Sequence, residues 1–288
     1  VEVPTVNGSA AASNTEIDLY YGNAAAADQW NSTGTWDANF KGVWHLKETG
    51  NGTVGEYKDS TSNAHNGQGG VGTAAAVPTL TSSGSIDGAQ SFDGADYISV
   101  PRTAILEPAN ITVSCWVKFN SFSANHQLCV SKQVTAAGAN SYTIGILGTT
   151  NKPVFVVATS AGTESNVQGA ALSTGTWYLM TGTYDGTNMK LYVNDVAPVS
   201  SAPAIVVGYS ATFNLAIGAE AQASAWWVNG IVDEARVSAS ARSADWIAAE
   251  YNNQNAPSTF YTASAQESYA PPRIIRLHGV RLQGVRLR

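Results

Sequence analysis

Cysteine, histidine and charge are scarce in this chain. Two cysteines in 288 residues cannot build the multi-bridge framework of a small disulfide-stabilised module. The four histidines, His45, His65, His126 and His278, are scattered without the spacing of a metal pair. No stretch approaches the ~20 apolar residues that span a bilayer as a helix, and the N-terminus VEVPTVNGSA lacks the basic start and apolar centre of a signal peptide. There is no Gly-x-Ser-x-Gly nucleophile elbow. Only 12% of residues are charged, so clustered phosphate-neutralising Lys and Arg are missing from most of the chain, and nucleic-acid binding by the main body is disfavoured.

What is present is strand and turn chemistry. The chain is 44% hydrophobic with 27 glycines and long stretches of Ala, Ser, Thr and Asn. This is the composition of strands joined by many turns around one large core. The clearest segment is TWYLMTGTYDGTNMKLYVND from Thr176, where two alternating apolar and polar runs flank Asp185-Gly186 and predict a hairpin with one buried face. Further strands are expected at 43–46, 90–92, 97–100, 111–119, 127–132, 141–147, 154–158, 168–172, 211–217 and 228–237. Such regular spacing predicts a β-sandwich and not alternating β and α units. A helix is expected over 243–251, capped by Ser243. FYTA at 260–263 reads as a short strand.

Charge is unevenly placed. Arg273, Arg276, Arg281, Arg286 and Arg288 follow Pro271-Pro272, while all 21 Asp and Glu precede it, so a body of charge −11 carries a +5 tail. The tail repeats Leu-x-Gly-Val-Arg at a five-residue period. We expect it to add as a strand to a neighbouring copy, drawn there by the acidic body. Trp30 and Trp36 interrupt the polar run from Ala24 to Asn39, which predicts that this linker packs against something. The expected organisation is a strand segment and linker at 1–39, a main domain at 40–256 and an extended segment with the basic tail at 257–288.

The motifs VWHL, SFDGADYISV, ITVSCWVKF, TWYLMTGTYDGTNMKLYVND and NGIVDEARV occur in this order between residues 43 and 252. Together they resemble the laminin-G-like jelly roll of the concanavalin-A-like superfamily. The resemblance implies an all-β fold, a two-sheet antiparallel jelly-roll sandwich with one short C-terminal helix. It also implies carbohydrate binding or adhesion at an extracellular surface, with a glycan or a surface protein as partner. The alternative is a structural subunit of an extracellular filament or virion that assembles through its ends. VEVPTV and NTEIDLYY resemble the last strands of a small β domain often found before such modules, implying a longer precursor with any export signal upstream.

The resemblance also implies a calcium ion at the sandwich edge, with Asp59, Asp93 and Asp233 at the matching positions; the competing reading has these carboxylates capping turns and loop amides. Sandwich enzymes of this kind usually carry a Glu-x-Asp-x-(x)-Glu strand, which does not occur here, so a non-enzymatic role is expected. Trp44, Trp116 and Trp177 match core positions. Trp226 and Trp227 are adjacent and would point to opposite faces of a strand, so one of them, with Tyr209 or Asn229, is a candidate for stacking on a sugar or anchoring an interface. Packing under a neighbouring loop is the competing reading. Ligand specificity is expected in the loops 135–140 and 199–209. Cys115 and Cys129 fall on successive strands, and the sequence leaves open whether they bridge.

Overall fold

A computed structural model describes residues 31, 33–222 and 225–260. Numbered along the chain, the first sheet runs β13 (Val199–Ser201), β12 (Met189–Val193), β11 (Trp177–Tyr184), β6 (Ile111–Phe119), β15 (Asn229–Ser238), β4 (Ala89–Asp93) and β3 (Thr79–Thr81). An eighth strand, β1 (Phe40–Trp44), pairs with the second half of β15. The second sheet runs β10 (Glu164–Gln168), β9 (Lys152–Ala158), β8 (Asn140–Leu147), β7 (Gln127–Gln133), β14 (Leu215–Ile217), β5 (Ile98–Val100) and β2 (Gln68–Gly69). The strand pairings are antiparallel. The fold is the sandwich expected from the alternating runs and the jelly roll that the resemblance implies, with one helix, α1 (Ala244–Asn255), after the last strand and a single helical turn, α2 (Pro257–Phe260), behind it.

The core lies between the sheets, where alternate residues of each strand point inward. Val113, Cys115, Val117 and Phe119 of β6 meet Cys129 and Val130 of β7, Ile144 and Ile146 of β8, and Phe155 and Val157 of β9, all fully buried. One close fit is at Gly182 of β11. A Cβ there would overlap the Phe155 ring from the other sheet, so only glycine lets the two layers meet at that point. Cys115 and Cys129 belong to opposite sheets and not to neighbouring strands of one; both are buried free thiols that interact with each other. Burial and the neighbouring Cys115 hold the Cys129 thiol well above its ordinary range.

Several expectations shift in detail. The strand expected at 168–172 lies earlier, at Glu164–Gln168: beyond the Gln168–Val154 pair the partner residue is Pro153, which accepts from the Gly169 N–H at 2.9 Å but has no N–H to return, so the ladder stops. The Asp185-Gly186 hairpin closes through a four-residue loop, since Tyr184 pairs with Met189. Gly186 has the positive φ of 92° expected of it, and the Asp185 carboxylate accepts from the Thr187 and Asn188 N–H groups at 2.9 and 2.6 Å. The 199–209 loop includes the edge strand β13. Phe260 ends a helical turn and does not open a strand; the rest of FYTA lies outside the described residues.

Of the three tryptophans expected in the core, Trp44 is fully buried between the sheets and donates its indole N–H to the His65 carbonyl at 2.9 Å. Trp116 is buried on the other face of its sheet, under α1. It stacks on Tyr251 with ring centroids 5.7 Å apart and donates to Gln254 Oε1 at 2.5 Å. Trp177 is only half-buried, with the Lys118 ammonium 5.1 Å from its ring centroid.

The Gly182 contact gives a test of the core. Gly182→Ala should lower stability by about 1–3 kcal/mol through overpacking. Phe155→Leu in the same chain should recover part of that loss, so the double variant loses less than the two single losses combined, as read from urea midpoints at unchanged m.

Candidate binding surfaces

Strand β15 organises both candidate surfaces. Opposite Trp116 and Ser114 of β6 its register slips between Asp233 and Arg236, and Glu234 takes a left-handed φ of 52°. This is a bulge, and it separates the environments of two adjacent carboxylates. Asp233 accepts from the Ile86 N–H at 2.8 Å, while its Oδ1 is buried without a partner. Burial raises its pKa to about 7, the loop amides only partly offsetting this. Glu234 faces His45 Nδ1 at 2.6 Å and Arg236 Nη2 at 2.5 Å. Burial pushes this carboxyl up, but the His45 hydrogen bond and the Arg236 charge outweigh it, and the pKa ends below its ordinary value. Arg236 also pairs with Glu250 of α1, and its guanidinium lies 5.1 Å from the Trp36 ring centroid.

This His45–Glu234–Arg236–Glu250 chain fastens β1, β15 and α1 together, and sequence reading missed it. Its signal was there in part: Glu234 and Arg236 are two apart in a strand, and Glu250 falls inside a capped helix. What hid it was the sequence distance between partners.

The three aspartates expected at a calcium site are not assembled into one. Asp59 spends both oxygens on the Val43, Thr61 and His65 N–H groups and the Thr61 hydroxyl, at 2.9–3.0 Å. Asp93 Oδ1 caps the Ala95 N–H at 2.9 Å. Asp233 keeps one buried oxygen without a hydrogen-bond partner. Among the described residues no group of three or more His, Cys, Asp or Glu is arranged to hold a metal ion. Main-chain oxygens would have to join these carboxylates to reach calcium's six to eight ligands.

Trp226, Trp227 and Asn229 share one end of the sandwich, in and just after the β14–β15 connection. The two tryptophans precede the strand and are both half-buried, so strand alternation does not sort them. Trp226 has φ 58°, its carbonyl accepts the Leu128 N–H at 2.9 Å, and its ring lies 5.4 Å from that of His126. Gly138, of the expected specificity loop 135–140, sits against the Trp226 ring, where a Cβ would come within 3.1 Å. The Trp227 indole N–H is buried without a partner. Asn229 is tied down by Gln127 Oε1, at 2.8 Å from its N–H, and by the Asp93 carbonyl, at 3.2 Å from its amide. Tyr209 packs elsewhere: its hydroxyl donates to the Pro108 carbonyl at 2.6 Å and its ring meets Tyr142 edge-on. Arg273, Arg276, Arg281, Arg286 and Arg288 lie outside the described residues.

A second surface opens beside α1. Trp36, Phe40, Arg236, Trp246, Glu250 and Asn253 line a cleft of about 340 Å³. Trp36 and Phe40 stand edge to face with centroids 4.9 Å apart, so the linker does pack, through Trp36. Another depression, of about 440 Å³ and lined by Thr49, Gly50, Asn51, Pro78 and their neighbours, has no aromatic or charged wall. No helix among the described residues is long and apolar enough to cross a membrane.

Comparison with known proteins bears on the fold. The family model described as the concanavalin A-like lectin/glucanases superfamily matches residues 92–248. No curated protein matches the sequence. Among solved structures, domain 4 of AbnA, a GH43 extracellular arabinanase from Geobacillus stearothermophilus, in complex with arabinotriose, is 18% identical. It superposes with a TM-score of 0.56 over 74% of this chain and 98% of its own. The binding domain of Paraclostridial Mosquitocidal Protein 1 is 13% identical, with a TM-score of 0.55 over 75% of this chain. The binding domain of botulinum neurotoxin serotype G is 11% identical, with a TM-score of 0.56 over 76%. The chain spans about half of each toxin domain, 52% in both cases.

Asp233 predicts a pH dependence with a definite sign. Its folded pKa, about 7, lies above its ordinary 3.8, so between these values the folded state binds more protons than the unfolded one. Stability therefore falls as pH rises from about 4 to 7, with a slope of at most about 1.4 kcal/mol per pH unit. Asp233→Asn should flatten that window in urea-unfolding midpoints measured across it.

Proposed function

We infer that this chain, which belongs to the concanavalin A-like lectin/glucanases superfamily, is a non-catalytic binding module for carbohydrate or a surface receptor, working outside the cell. The observation that carries this reading is the backbone of Trp226. A bulky aromatic residue at φ 58° is strained, whereas the fully buried Trp44 sits on ordinary strand geometry. Strain at a half-exposed tryptophan, at the end of a rigid sandwich and beside His126 and the 135–140 loop, is the pattern of a preformed contact residue. The indole face offers apolar area for the C–H face of a sugar ring, and Trp227 holds a buried N–H in reserve.

Solved neighbours support the same reading by analogy of fold: one is in complex with arabinotriose, and others are named binding domains. Catalysis finds no support in the carboxylates of β15. Glycoside hydrolysis needs two carboxyls across one bond, whereas Asp233 faces the loop at 85–86 and Glu234 is held by His45 and Arg236. Adding calcium or excess chelator is expected to leave the melting temperature unchanged, and a drop in chelator would restore a cation at the sandwich edge.

The binding reading is tested at Trp226. Trp226→Gly removes the ring and relaxes the left-handed backbone, so it should keep or raise the melting temperature while weakening saccharide binding about tenfold or more. Arabinotriose and a glycan array are the probes. Unchanged binding in a folded Trp226→Gly protein would remove this loop from the function.

A further inference from the structure

We infer that the cleft between β1, β15 and α1 is a second saccharide-binding site, taking one or two neutral sugar rings and separate from the Trp226 loop. Ring and cation contacts hold its walls. Phe40, buried at the start of β1, lies between two tryptophans, 4.9 Å from Trp36 and 6.4 Å from Trp246 by ring centroids. Arg242 lies over both Phe40 and Trp246, at 4.5 and 4.3 Å from their centroids. It is anchored in turn to Asp37 at 2.8 Å. These contacts fix the rings without covering them, since Trp246 is still 43% exposed. Trp246, Glu250 and Asn253 follow at helical spacing and line one side of the cleft.

The free polar groups point to the ligand class. Glu250 Oε1 takes both Arg236 and Gln254, while its Oε2, the Asn253 amide and the Trp36 and Trp246 indole N–H groups make no hydrogen bond among the described residues. The Nε of Arg236, also in the wall, is buried without a partner. Donors and acceptors around aromatic faces match hydroxyls around an apolar ring face. An anionic ligand is disfavoured because Arg236 is shared between the Glu234 and Glu250 carboxylates, Arg242 is taken by Asp37, and the named ions leave a net negative charge. An alkyl chain would desolvate Glu250 Oε2 and offer it no hydrogen bond. The volume, about 340 Å³, falls at the small end of ligand pockets, roughly 300–1,000 Å³.

The experiment blocks the cleft without touching its ion pairs. In the full chain, Ala249→Trp places a large ring in the cleft wall from an exposed position of α1, and Asn253→Ala removes one polar contact. Each is titrated by calorimetry and tryptophan fluorescence with arabinotriose, maltotriose and laminaritriose, beside wild type and Trp226→Gly, with a sulfated oligosaccharide as the charged control. At least one neutral trisaccharide is expected to bind wild type and Trp226→Gly alike, while Ala249→Trp weakens it about tenfold or more and Asn253→Ala weakens it by less. Unchanged affinity in Ala249→Trp overturns the site, as does preference for the sulfated control. Absence of any neutral-saccharide response overturns it too, including the case in which residues before Trp36 occupy the cleft. Loss confined to Trp226→Gly would leave the loop reading standing and this one refuted.

Discussion

Everything in this molecule depends on two β layers meeting face to face through apolar side chains. Strands shed backbone entropy and leave edges unpaired, so a sheet is stable only where one face is removed from water against another element. Here Phe155 crosses from one sheet to lie over Gly182 of the other, and the two thiols meet from opposite layers. Such closeness is possible only because residues of each strand alternate between core and outer face. With the layers registered, the outer faces, the edges and the connections are left for other work.

Strand β15 translates that scaffold into sites. It is central, with β6 on one side and β4 and β1 sharing the other. The bulge at Glu234 gives two adjacent carboxylates opposite electrostatic fates. One is buried against loop amides and is forced toward its neutral form. The other is kept ionised by a histidine and an arginine. Removing one partner from such a buried cluster leaves a charge uncompensated, which is why it holds α1 and β1 in place tightly although the paired charges themselves add little net stability. The aromatic cleft is a by-product of that fastening, because Arg236 and Arg242 also position its rings.

The two binding surfaces use tryptophan differently from the core. Trp44 is fully enclosed, and Trp116 is closed over by α1. Trp36, Trp226 and Trp246 keep part of their rings accessible, each held by neighbours that set its orientation. Orientation fixed before a ligand arrives lowers the ordering cost of binding, and a rigid sandwich with aromatic groups at its margins is suited to that task.

Much of the fold was legible in the sequence. Strand periodicity, the Asp185-Gly186 turn and the Ser243 cap are local signals, and the structure follows them because each depends on residues a few positions apart. The strand placed four residues late, at 168–172, shows the limit: its run is short, and its true ends are set by the partner strand across the ladder. The fate of Trp226 and Trp227 was unreadable because strand alternation holds only within a strand, and β15 begins two residues later. Likewise, three aspartates in family-like positions said nothing of where their oxygens point. By itself the sequence determined the all-β class, the alternating faces and most turns, since these are short-range consequences of side-chain shape and backbone freedom. Only the tertiary structure decided which carboxylates meet a cation and which tryptophans stay open to solvent, because those partners, His45 and Glu234 or Phe40 and Trp246, are 189 and 206 residues apart and meet only through sheet packing.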